Sequence, residues 1–353
     1  MSEDIKKGGA QTDDEDVARD PAGTARRLWR AAGRERWRLA VATVSAVLYV
    51  VFSLAAPAYS AGLVDLLWGN IQAAEAAGET YVVTLSNGGM QILAFLGLWT
   101  LAWVFYSIQT LVMASFAERL NLNLRQQISS KIARLPLSYF DAHQPGDTLS
   151  RATNDLDKVS EVLQRGLLQI IISALTYVGA VGIMITYNVL LAGVFLAFSL
   201  AALVLTRLAA ACTLNAYAKR QAALGRLTGK VEEAYSGRLV IKAFGRDGAS
   251  SAEMRAAADE LADTGALADF LSQAVGPAIR LLGRFAMVVC GLLAGGMLIA
   301  GQITVGVFQS FFQFVTTANE PLTQLSMTVN MLQGALAAAE RVFDLLEADE
   351  IVP

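Results

Sequence analysis

Six long apolar stretches decide what this chain can fold into. They run from Leu39 to Leu67, Gly89 to Phe116, Leu167 to Tyr187, Val189 to Ala211, Leu282 to Ala300 and Ile303 to Met331. Each reaches or approaches the roughly 20 residues that carry a helix across about 30 Å of hydrocarbon. A backbone in hydrocarbon has no water to bond, so these stretches are expected to be helices rather than loops or open strands. Hydrophobic residues make up 54% of the chain and charged residues only 17%, with a mean hydropathy of +0.45. That balance excludes an ordinary soluble globular fold. The expected class is an all-α membrane protein with six transmembrane helices.

The placement of positive charge orients the spans. The connections Trp68 to Gly88, Thr186 to Asn188 and Gly301 to Gln302 contain no Lys or Arg. Every Lys and Arg instead lies in the N-terminal flank, between Glu118 and Arg165, between Arg207 and Arg284, or at Arg341. The positive-inside rule then puts both termini and the two long connections in the cytoplasm of a bacterial plasma membrane. The net charge of −3 gives no reason to expect a nucleic-acid partner.

Residues 1–23 are polar and acidic and read as a disordered tail, with no signal peptide. Residues 24–38 interleave Leu28, Trp29 and Trp37 with six arginines, the pattern of an interfacial elbow helix. Residues 39–347 form the six-helix domain. Its cytoplasmic connections, 113–166 and 207–281, keep apolar residues at three- and four-residue spacing, so the helices are expected to continue past the bilayer as two hairpins. Their turns are expected at Tyr139 to Asp147 and at Asn215 to Gly225. Acidic residues and Pro353 at 348–353 read as the start of a linker. Cys212 and Cys290 lack a partner spacing and read as small packing residues.

Four strings carry a family resemblance: LRQQISSKIARLPLSYFDAHQPGDTLSRATNDLDKV (Leu124 to Val159), GRLTGKVEEAYSGRLVIKAFGRD (Gly225 to Asp247), GQITVGVF (Gly301 to Phe308) and ANEPLTQLSMTVNMLQGALAAAERVFDLLE (Ala318 to Glu347). In this order the chain resembles the membrane domain of ABC exporters, most closely the heterodimeric-type multidrug exporters. The resemblance implies an alternating-access pore made with a second transmembrane half, as a homo- or heterodimer with exchanged helices. It further implies docking of nucleotide-binding domains on the hairpin tips, by position Tyr139, Phe140, Asp141 and His143 on the first and Ala218, Lys219 and Arg220 on the second. ATP and Mg would sit on those partner domains. The chain itself has neither a Walker A loop nor a glycine-rich signature; the nearest string, GRLTGKV from Gly225 to Val231, is one residue short and has Val after Lys. It is therefore expected to hold no cofactor and to be no enzyme alone. Alternatives are an ATPase-independent secondary transporter, disfavoured by the long cytoplasmic helices, and a membrane scaffold or regulator.

Within the spans, Arg280 and Arg284 either line a cavity or snorkel to the headgroups. Glu320, with Asn319 before it and Gln313 on the same face, lies about 25 Å along the sixth span from Ile303. It reads either as half of a structural ion pair, with Arg284 the depth match, or as a substrate or proton contact. Pro321 reads as a hinge. His143 is the only histidine, and no metal site is expected. Glu232 and Glu233 are expected to form a charged face toward Lys230 or Arg226, and Asp155 to pair with Arg151 one turn away.

The orientation has a direct test. In a background freed of Cys212 and Cys290, single cysteines at Ala77 or Asn87 are expected to react with an impermeant thiol reagent added to intact cells. Those at Ser130 or Ser250 are expected to be silent until the membrane is opened, and labelling of the second pair from outside would overturn the topology.

Overall fold

The computed structural model describes residues 19–142 and 145–351. His143 and residues 1–18 lie outside the described residues. Helix α1 (Pro21–Ala31) opens on Pro21, whose missing N–H costs nothing in a first turn, and Asp20 accepts from the Gly23 amide at 2.9 Å. Gly33, with φ of +43°, then admits one 3₁₀ turn, Gly33–Glu35. The segment expected as a single elbow helix over 24–38 is thus two pieces: α1 begins three residues earlier, and Arg36–Arg38 belong to the next helix.

Six long helices follow: α2 (Arg36–Ala76), α3 (Gly89–Ile132), α6 (Leu156–Tyr187), α7 (Val189–Ser236), α9 (Asp247–Ile299) and α10 (Val305–Glu347). Between them lie the short helices α4 (Leu137–Ala142), α5 (Pro145–Ser150) and α8 (Arg238–Ala243). Among the described residues, the helical segments that end with α2, α3, α6, α7 and α9 are long and apolar enough to cross a membrane. The sixth long helix, α10, carries Gln309, Gln313, Asn319 and Glu320 in its first half. The 48 residues of α7 would span about 72 Å at 1.5 Å per residue, more than twice the hydrocarbon thickness. Extension past the bilayer is therefore a matter of length.

The chain divides into two compact units, residues up to Asn188 together with those from Gly295, and Val189–Ala294. In the first, α2, α3, α6 and α10 pack on one another. Small residues let their backbones approach: Ala42, Ser45, Ala46, Ala56 and Ala61 are buried on α2. Phe311 and Phe314 of α10 are fully buried. The start of α10 is tied to α2 by one carboxylate. Asp65 accepts from Thr304 Oγ1 at 2.6 Å and from the Gly306 amide at 2.7 Å, while Thr304 caps the Val307 amide. A side chain at 306 would run into the Ala61 carbonyl, so glycine is what permits the approach.

At the opposite end of this bundle, Asp155 is clasped by the Arg341 fork at 2.9 and 2.7 Å, with only 6% of its side chain exposed. This corrects the expected Arg151–Asp155 pair. Residues Arg151–Asp155 form a π-helical turn, which shifts the register so that i and i+4 no longer stack. Arg151 donates instead to the Tyr139 hydroxyl at 3.4 Å. Beyond α10, Glu350 meets Lys131 at 3.0 Å and Arg134 at 3.4 Å, and the Ile351 amide donates to the Arg134 carbonyl. The hydrogen bond from Lys131 holds the Glu350 carboxyl below its ordinary range. This tie is therefore fully present above that range and is lost as pH falls through the lowered value.

The second unit is an antiparallel pair, α7 and α9. Cys290 Sγ lies 3.9 Å from the Leu191 carbonyl; Arg220–Asp269, Arg226–Glu260 and Lys230–Glu253 follow at 2.8, 2.6 and 2.9 Å. Cys290 is buried as expected of a packing residue, whereas Cys212 is exposed. The expected turn at Asn215 to Gly225 is a correction: α7 runs straight through it, because Ala, Lys, Arg, Gln and Leu are strong helix formers and one glycine does not break such a run. Reversal comes at Gly237 to Arg246. There Gly245 takes φ of +63° and the Arg246 amide returns to the Ile241 carbonyl at 2.9 Å, a Schellman closure of α8. Ala218, Lys219 and Arg220 therefore lie in mid-helix.

Removing one partner of a buried, hydrogen-bonded pair strands the other charge, at a cost of about 3–5 kcal/mol. Asp155→Ala and Arg341→Ala are each expected to lower the thermal midpoint of the detergent-solubilised chain by several degrees. Asp155→Leu with Arg341→Met is expected to lose less than either single change, and equal losses in all three would show that the pair is not coupled.

Candidate functional site

A cavity of about 410 Å³ opens among α2, α3, α6 and α10 of the first unit. Each wall is one helix face, and the spacing shows why. Tyr49 and Ser53 of α2 stand at i and i+4. Trp99 and Tyr106 of α3 stand at i and i+7. Gln169, Ser173 and Thr176 of α6 follow i, i+4, i+7, with Ile172 beside them. Thr317, Glu320, Pro321 and Gln324 of α10 follow i, i+3, i+4, i+7. Polar residues that share a helical face in an apolar span are there to meet a neighbour or a cavity, since facing lipid would leave their groups unsatisfied.

The rings of Tyr49 and Tyr106 lie 5.2 Å apart at a tilted angle, and Phe52 stacks on Phe105 at 5.6 Å on the same pair of helices. Gln169 reaches Ser173 along α6 at 3.4 Å. Two walls also carry a proline's imprint. Pro57 of α2 and Pro321 of α10 have no N–H, so the carbonyls four residues earlier, on Ser53 and Thr317, lose their regular helical donor. Both of those residues line the cavity. The lining is thus one carboxylate, hydroxyls, amides and aromatic rings, with no basic residue among the described lining residues.

The residues singled out from sequence fall in several places. Glu320 and Pro321 are on the cavity wall. Asn319 is half-buried next to them, and Gln313, two turns nearer the start of α10, has a buried Oε1 with no partner among the described residues. Arg280 and Arg284 lie on α9 of the second unit; both are exposed and neither joins an ion pair among the described residues. Tyr139 and Phe140 are half-buried on α4, edge to face with centroids 5.8 Å apart, and Asp141 beside them is exposed. Large apolar side chains stand out at both reversals, Leu137 76% exposed at the first and Leu239 76% and Phe244 77% exposed at the second. Sequence reasoning missed Tyr49, Ser53, Trp99, Tyr106 and the α6 face. The i, i+4, i+7 recurrence of Gln169, Ser173 and Thr176 inside an apolar run was a usable signal.

The sequence profile of the ABC transporter transmembrane region matches residues 39–322. The chain is 31% identical to the fatty acid ABC transporter ATP-binding/permease protein of Mycobacterium bovis over 95% of this chain and 58% of that protein. It is 30% identical to the ATP-dependent lipid A-core flippase of Thiobacillus denitrificans over 73% of this chain and 44% of the flippase. An uncharacterized ABC transporter ATP-binding protein of Bacillus subtilis matches at 26% identity over 94% of this chain and 53% of its own length. The chain spans about half the length of these curated relatives.

Proposed function

For this chain, which belongs to the ABC transporter transmembrane-region family and is a multi-pass membrane protein, we propose the role of substrate-translocating part of an ATP-driven exporter. It works by alternating access, with a second transmembrane half and with nucleotide-binding domains, carrying ATP and Mg, that this sequence does not contain. The membrane is the bacterial plasma membrane, with both termini in the cytoplasm. The cavity among α2, α3, α6 and α10 carries the reading: a polar and aromatic space in the midst of four apolar helices costs stability unless something is to be held there. Relatives named for a fatty acid and for lipid A-core support an amphipathic cargo.

The motor's work has to reach that cavity through stiff elements, and α3, α7 and α9 are continuous helices of 44, 48 and 53 residues. Docking surfaces for the nucleotide-binding domains are assigned to α4, with Tyr139, Phe140 and Asp141, and to α8 with its flanking Phe244. The second replaces the mid-helix residues Ala218, Lys219 and Arg220 because exposed apolar side chains at a tip are what a groove on a partner takes up.

Joined to an ATP-binding domain and placed in inverted vesicles, the chain is expected to accumulate a fluorescent amphiphile only when ATP is supplied. Leu239→Ala with Phe244→Ala is expected to cut that uptake and the substrate-stimulated ATP hydrolysis by about tenfold or more, as for loss of an interface anchor, with membrane insertion unchanged. Uptake that ignores ATP would sink the exporter reading, and undiminished coupling in the double variant would remove α8 from the docking surface.

A further inference from the structure

We propose that the connection between α2 and α3 dips back to the membrane boundary, and that Val82, Val83 and Leu85 seat its turn among phospholipid headgroups and the upper acyl chains. This lipid contact goes beyond the transport role and does not depend on it; the orientation given above only makes the leaflet the outer one.

Depth carries the inference. From Leu67, where the apolar stretch closes, α2 continues to Ala76, about 14 Å further at 1.5 Å per residue. Its last turns carry Asn70, Gln72 and Glu75, and Glu79 follows, so this tip stands in water. The chain then comes back. The Asn70 side-chain amide donates to Asn87 Oδ1 at 2.7 Å and the Tyr81 hydroxyl to the Asn87 carbonyl at 2.8 Å. Gly88 lies so close to α2 that a Cβ there would stand 2.8 Å from Leu67 Cδ2, and its φ of +94° is one that glycine adopts freely. Residues 81–88 are thus level with Leu67 to Asn70, where hydrocarbon gives way to headgroups. Trp68, a residue type of that boundary, is exposed at the same level.

The turn itself suits such a place. Val82 and Leu85 are 68% and 67% exposed, with Val83 exposed between them, while Asn70, Tyr81 and Asn87 satisfy one another. The Thr84 carbonyl accepts from the Asn87 and Gly89 amides at 3.1 and 2.9 Å, and the Leu85 carbonyl from the Met90 amide at 3.1 Å. Backbone groups paired in this way can leave water at low cost. Apolar side chains are also exposed on both flanking helices, Leu66 and Ile71 of α2 and Met90 and Leu93 of α3, so the turn continues the surface that the spans offer to lipid. Residues 80–117 contain no charged side chain, and the contact therefore calls for no particular lipid charge.

The experiment places Val83→Cys in the full chain freed of Cys212 and Cys290, labels it with nitrobenzoxadiazole, and holds the protein in phosphatidylcholine nanodiscs, which are open to solvent on both faces. Lipid carrying a doxyl group high on its acyl chain is expected to quench the label more than lipid carrying it near the chain end. Iodide in the buffer is expected to quench it at least about threefold less than the same label on Ala77→Cys. Adding phosphatidylglycerol is expected to change neither reading. Val82→Ser with Leu85→Ser is expected to raise iodide access at position 83 to that at position 77. Should Val83→Cys fail to insert, the same quenching readings on Leu85→Cys decide the matter. Iodide access equal to that at Ala77 would return the turn to water and overturn the proposal. A label shielded from iodide and from doxyl lipid alike would also overturn it, marking a protein partner such as a second transmembrane half, as would quenching that appears only with phosphatidylglycerol.

Discussion

A peptide group in hydrocarbon cannot borrow a hydrogen bond from solvent, and the architecture of this chain follows from that restriction. Each unsatisfied N–H or C=O costs several kcal/mol at depth, so the apolar stretches become unbroken helices. Pro57, Pro277 and Pro321 all lie inside long helices. Two of them leave carbonyls without their helical donor on residues that line a shared cavity, Ser53 and Thr317.

Because the helices gain little from apolar burial when lipid is as apolar as they are, their association depends on close approach and on a few polar ties. The ties in the first unit sit at the two ends of the bundle. Asp65 gathers the Thr304 hydroxyl and the Gly306 amide at one end, and Asp155 engages Arg341 at the other. Between them the cavity occupies the stretch where α10 is least apolar. A bundle clamped at both ends and loosened in the middle can change the shape of its middle without losing its pairing.

The long helices, the loops free of positive charge and the continuation of helices beyond the length of a span were legible because composition and the 3.6-residue period act over tens of residues. Glu320 was legible as an acid in an apolar run. What escaped depends on contacts far apart in sequence or on single backbone angles. The second reversal was misplaced because Asn215 to Gly225 looks polar, while the actual turn hinges on Gly245 with its positive φ. Asp155 looked like a partner for Arg151, and only a π-helical turn together with a guanidinium from 186 residues away reassigns it. Three of the four cavity walls were missed since Tyr49, Trp99 and Gln169 are unremarkable until their faces converge. The string GQITVGVF carried the family resemblance, and its physical content is a capping hydroxyl at Thr304 and an absent side chain at Gly306.

The N-terminal helix is moored to residues made long after it. The Arg19 and Asp20 amides both donate to the Glu340 carboxylate, and Arg27 approaches Glu347 at 3.4 Å, so this helix finds its partners some 321 residues later. At ordinary rates of synthesis that interval is on the order of tens of seconds. Through it α1 has the membrane surface, the Arg36 side chain of α2 donating to the Trp29 carbonyl and, once α3 is made, the Asn123 amide reaching the Ala31 carbonyl. Arg26, Arg27, Arg30 and Trp29 of this helix then act as a temporary mooring: they keep it at the headgroups until α10 arrives.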